Sequence, residues 1–147
     1  MNYLAHLYLA EDSPESLLGS ILGDFVKGAI GDRYPPKIKR GIELHRKIDA
    51  YTDSHPLTRA SRNLYSPARR RFAGIIVDLC YDHLLYRHWT AFSDLILDRF
   101  ISRVYDILMT HSATLPARME AMVPVMISED WLGSYQDLMG VEKALSR

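Results

Sequence analysis

The chain has 147 residues, 48% apolar and 24% charged, and its basic and acidic side chains balance to zero net charge. That size and composition describe one globular domain, and the neutral balance predicts neither a nucleic-acid nor a membrane partner. The single cysteine, Cys80, excludes an intrachain disulfide and a cysteine-based zinc site, while "MNYLAHLYLAEDS" lacks a basic start and no apolar run reaches the ~18 residues of a membrane span. The expected location is therefore the cytoplasm.

The first predicted helix opens at Ser13, a good N-cap, with Pro14 as its first residue. Leu17, Leu18, Ile21 and Phe25 then follow helical spacing, and Gly28 is its expected end. "GDRYPP" reads as a turn. A second helix is expected from Lys37 to Thr52, stopped by "DSHP". A third begins after Ser66-Pro67 and runs through "ARRRFAGIIVDLCYDHLLYRHW" to about Trp89. Ser93 caps a fourth, "DLILDRFISRVYDILMTHS". Pro116 opens a fifth, which Pro124 should kink or end. Ser128 caps a sixth containing Trp131 and Tyr135. No segment alternates with period two, so the expectation is an all-α, single-domain helical bundle over residues 1–147. The chain stops at "VEKALSR" in mid-pattern, which suggests that a C-terminal helical tail is lacking or that the last helix frays.

Ionisable residues fall on apolar faces of these helices. On a wheel of about 100° per residue, Phe72, Ile75, Leu79 and Tyr86 centre the apolar face of the third helix. Asp82 falls on that face, with Asp78 at one edge and His83 at the other. On the second helix, His45 and Asp49 share a face with Ile42 and Ile48, and their i, i+4 spacing makes them neighbours. Asp24 lies on the apolar side of the first helix, and His6 is embedded in "NYLAHLYLA". An unpaired carboxylate in a core is too costly to persist. Several helices that each bring acids and imidazoles inward therefore suggest one shared centre. Asp/His ligation without sulfur suits a divalent ion such as manganese, magnesium, iron or zinc. The plainer alternatives are an internal salt-bridge network with Arg46 or Arg87, a hydrogen-bonded core histidine at position 6, and a local His45–Asp49 hydrogen bond.

The stretches "MNYLAHLYLA", "LLGSILGDFVKG", "HRKIDAYTD", "DLCYDHLLYRHW" and "WLGSYQDL", in that order, resemble the acyl-carrier-protein phosphodiesterase family. The resemblance covers roughly the whole chain and is thinnest from Ser93 to Ser128. It implies an HD-domain-like helical fold and hydrolysis of the phosphodiester between 4′-phosphopantetheine and a serine of acyl carrier protein. It also implies a divalent cation, manganese by preference, with magnesium or iron as alternatives. The adjacent His-Asp pair that names the HD group runs the other way here, as Asp82-His83. Helical faces and kinship together nominate Asp24, His45, Asp82 and His83 as ligands, with His6 beside them. His45, Asp49 and Asp78 would orient ligands or take a proton, and Arg46 would neutralise phosphoryl charge. The carrier is acidic, so Arg59, Arg62, Arg69, Arg70 and Arg71 are its expected docking patch. The competing functions are an HD-type hydrolase acting on a nucleotide and a non-catalytic carrier-binding module.

Overall fold

The structure is a computed structural model that describes residues 1–146. Among them are nine α-helices and no strand: α1 (Tyr3–Leu9), α2 (Pro14–Leu22), α3 (Pro36–Ser54), α4 (Pro56–Asn63), α5 (Ala73–Arg87), α6 (Trp89–Phe92), α7 (Leu97–Thr110), α8 (Ala117–Ser128) and α9 (Leu138–Leu145). The all-α expectation holds. No helix among the described residues is long and apolar enough to cross a membrane.

The arrangement centres on α2. Ser13 caps it by accepting from the Ser16 N–H, and Pro14 opens it. Every residue from Ser16 to Leu22 is buried, as expected of a helix apolar on nearly all sides. Against it lies α3, and the two backbones touch at glycines. A Cβ on Gly19 would sit 2.4 Å from the Ile38 carbonyl oxygen and 2.9 Å from the Gly41 Cα. Leu17, Leu18 and Ile21 join Ile42 of α3, Val104 and Leu108 of α7, and Met119 and Met126 of α8 in one core.

Several boundaries differ from the sequence expectation, each for a local reason. The first helix ends at Leu22, six residues before Gly28, because the chain turns at Gly23 where the His45 ring packs against its backbone. Gly28 does adopt a left-handed conformation, at φ 69°, but in the following loop. The sequence reading missed α1 and α4. They have seven and eight residues, too short to carry a periodicity. The long third helix is divided into a 3-10 turn (Arg70–Phe72), α5 and α6.

The apolar face assigned to that third helix was misplaced. Phe72 and Ile75 are exposed, and the buried side of α5 is Ala73, Val77, Leu79 and Asp82. Apolar residues surround α5 on every side, so the wheel had no clear direction and its neighbours decide which face is covered. Pro124 does not end α8, because its exposed ring points away while Val123 and Met126 remain wholly buried on the core side. Ser128 closes α8 instead of opening a helix. Tyr135 lies in a 3-10 turn (Gly133–Gln136), and Asp137 caps α9 by accepting from the Gly140 N–H.

The glycine contact gives a direct test. Helix propensity alone favours Gly19→Ala by about 1 kcal/mol. The clash with α3 should reverse the sign, giving a net loss of about 1–3 kcal/mol, read as a lower urea midpoint at unchanged slope. A neutral or stabilising result would mean the two helices can separate at little cost.

Candidate metal centre

The crossing of α2 and α3 places the His45 ring directly over Gly23, where a Cβ would lie 2.2 Å from the imidazole Cγ. His45 Nδ1 is 2.7 Å from the Ser20 carbonyl oxygen. A carbonyl only accepts, so Nδ1 carries the hydrogen and Nε2 faces the acids. Nε2 lies 3.4 Å from Asp24 Oδ1 and 3.3 Å from Asp49 Oδ2. Above this pair lies α1, whose His6 ring stacks on His45 at 3.7 Å between centroids and 10° between planes. His6 Nε2 is 3.0 Å from Asp49 Oδ1. This imidazole is 1% exposed, and its other nitrogen, Nδ1, has no hydrogen-bond partner.

The electrostatics follow from this crowding. Burial pushes the His45 imidazole down, but hydrogen bonds and charge from Asp24 and Asp49 outweigh it and raise its pKa to about 9. Burial would raise Asp49, yet the imidazoles of His45 and His6 and the Met1 ammonium hold it well below the usual carboxylate range. That ammonium is 3.1 Å from Asp49 and 3.5 Å from Asp78. Asp78 itself is pushed up, chiefly by burial, against the pull of the ammonium and Arg62.

One ligand atom each from His6, His45 and Asp49 lie within 4.8 Å of one another, and this set could hold a divalent ion. The chemistry of the donors fits. Two imidazoles and a carboxylate form a mixed N/O set suited to manganese, iron or zinc, and His6, buried with its Nε2 turned to the Asp49 carboxylate, faces the same point as His45 Nε2. Of the residues nominated from sequence, His6, His45 and Asp49 therefore meet, and exposed Asp24 stands at their edge.

The structure does not bring Asp82 and His83 into this cluster. Both Asp82 oxygens are committed to backbone: Oδ2 accepts from the Leu4 N–H at 2.8 Å and Oδ1 from the Ala5 N–H at 2.9 Å. Wholly buried, it caps α1 from α5, and burial pushes its carboxyl up to about 7 against those two bonds. His83, one residue on, points about 100° away, and its Nδ1 donates to the Tyr135 carbonyl oxygen at 2.7 Å.

The nominated arginines divide as well. Arg46 donates to the Val26 carbonyl oxygen at 2.7 Å and so secures the loop that carries Asp24. Arg62 is half-buried and pairs with Asp53, while Arg59, Arg69, Arg70 and Arg71 are exposed. The sequence reading missed the Met1 ammonium. The one available signal was that residue 1 lies just five positions before His6.

Fold and centre together define a class: an all-α protein with a buried His–His–Asp centre able to hold a divalent ion. More narrowly, the chain belongs to the acyl carrier protein phosphodiesterase family, which matches residues 1–147. A Yersinia pestis protein named acyl carrier protein phosphodiesterase is 39% identical over 139 residues, covering 94% of this chain and 72% of its own length. Proteins of the same name from Salmonella paratyphi A and Salmonella dublin are 38% identical over 147 residues, 99% of this chain and 76% of theirs. No solved structure matches.

Removing the Asp82 carboxylate leaves two buried N–H groups of α1 without acceptors. Asp82→Ala should therefore cost about 2–4 kcal/mol in chemical denaturation. An effect near zero would show that α1 is held by packing alone.

His45 sets a pH dependence. Its folded pKa of about 9 exceeds the reference 6.5, so the stability it contributes is complete below pH 6.5 and is lost as pH rises through 9. Asp82 acts in the same sense from pH 3.8 to about 7. The urea midpoint of metal-free protein should fall between pH 6.5 and 9, and His45→Gln should flatten that interval. A divalent ion needs the neutral imidazole, so its affinity should rise over the same range, as read by titration calorimetry.

Proposed function

We propose that this chain hydrolyses the phosphodiester joining 4′-phosphopantetheine to a serine of acyl carrier protein, releasing apo carrier and free phosphopantetheine. The supporting observation is the stacked His6–His45 pair, both rings buried and both turning Nε2 to Asp49, in a chain whose relatives are named for this activity. His6, His45 and Asp49 would hold a divalent cation, manganese by preference, with magnesium or iron as alternatives. When bound, such an ion lowers the pKa of its water and polarises a phosphoryl oxygen.

The chain's own residues supply the rest. Ser20 fixes the His45 tautomer by accepting from Nδ1. Asp24, exposed beside His45, takes a proton at Oδ1 and passes it to solvent. Asp78 and the Met1 ammonium orient Asp49 from its far side. Arg46, anchored on Val26, holds the Asp24 loop and lends positive charge to the site's rim. Exposed Arg59, Arg69, Arg70 and Arg71 meet the acidic carrier and act mainly on encounter.

Purified protein with manganese should release phosphopantetheine from holo carrier, and EDTA should abolish release and lower the melting temperature by several degrees. His45→Ala and Asp49→Ala should each cut turnover by about 10²-fold or more and remove the manganese-dependent shift in melting. Reversing Arg69 and Arg70 to Glu should raise KM and leave kcat nearly unchanged. Release that persists undiminished in EDTA would refute metal dependence, and no release under any metal would refute the reaction.

A further inference from the structure

An apolar groove of about 750 Å³ opens beside the metal centre. Its volume lies within the range of about 300–1,000 Å³ found for small-molecule sites. Met1, Leu9, Leu57, Leu84, Leu85 and Phe92 are among the residues that line it. Leu9, Leu57, Leu84 and Phe92 are 46%, 69%, 50% and 57% exposed, so the groove gathers large apolar side chains that the core leaves uncovered. No Asp, Glu, Lys or Arg side chain lines it.

Groove and centre are continuous. Met1 lines the groove while its ammonium touches Asp49 and Asp78. Thr52, also in the lining, lies three residues after Asp49 and bonds its carbonyl oxygen. A substrate whose phosphate sits at the centre thus has immediately beside it a channel whose side chains carry no Asp, Glu, Lys or Arg, the one ammonium at its edge being committed to Asp49 and Asp78.

We infer that this groove seats the acylated pantetheine arm of the carrier, the uncharged chain that leads from the cleaved phosphodiester to an acyl thioester. The inference rests on the phosphodiesterase reading above. Charge selects the occupant. An acidic carrier surface needs cations opposite it, and the groove's side chains offer none beyond two histidines. The carrier body therefore belongs with the exposed arginines, and only its neutral arm belongs in the groove. An apolar chain there replaces water over side chains that are already exposed, and each fully buried methylene is worth roughly fourfold in affinity.

The test uses free S-acyl-pantetheines of increasing chain length, titrated calorimetrically into the full chain with manganese, alongside turnover of holo carrier. Affinity should rise by up to about fourfold per methylene, and Leu84→Lys and Leu57→Lys should each weaken S-octanoyl-pantetheine at least tenfold. Both positions are exposed, so the variants should keep the wild-type melting temperature and its manganese shift. Affinity independent of chain length, or unchanged in both variants, would overturn the inference. A dimer in gel filtration that Leu84→Lys dissolves, without acyl-pantetheine binding, would overturn it in favour of a second copy. Chain-length-dependent binding without hydrolysis of holo carrier would support the groove's ligand while refuting the phosphodiesterase reading, so the two failures are distinct.

Discussion

The contact of Gly19 with Gly41 is the constraint from which the centre follows. With any side chain at either position, α2 and α3 would stand further apart, because a Cβ would already meet backbone at 2.4–2.9 Å. At the observed separation, His45 reaches across to the Ser20 carbonyl and lies flat on Gly23. One close approach of two backbones thus sets the imidazole's tautomer, its orientation and the direction of Nε2. Wider spacing would cost dispersion contacts along the whole crossing and would free the ring to rotate.

The second element of the centre is a helix held from elsewhere. Seven-residue α1 is too short to be stable alone. Asp82 satisfies two of its orphan N–H groups from the interior of α5, and Leu4 and Leu7 anchor it in the core. His6 is thereby delivered onto His45 with its Nε2 facing Asp49. Charge at the centre is balanced rather than avoided. Asp49 faces two imidazoles and an ammonium, which is why a half-buried carboxylate can remain ionised there. A divalent ion would take over that balancing role and displace the proton on His45.

Polarity divides the outer surface. Exposed arginines cluster around the 3-10 turn before α5, while the far halves of α1 and α5 present apolar side chains and no charged ones around the groove. Arg62 belongs to neither part. Its bond to Asp53 joins α3 and α4, and its positive charge reaches Asp78.

Sequence alone determined the all-α class, because helical spacing and N-caps such as Ser13-Pro14 are local and strong over α2, α3 and α7. It also determined the His45–Asp49 pair, because i, i+4 neighbours on a helix are fixed by its pitch, and it nominated His6 and Asp24. Only the tertiary structure decided how these residues divide the work. Asp82 looked like a ligand because an acid on an apolar face needs a partner, and that partner is the end of α1, 77 positions away for Ala5. His83 follows Asp82 in sequence but faces Tyr135, since consecutive helical residues diverge by about 100°. Periodicity reports that a polar group points inward. What it meets there depends on how distant helices are placed, and that placement rests here on a two-glycine contact and one buried carboxylate that no local pattern encodes.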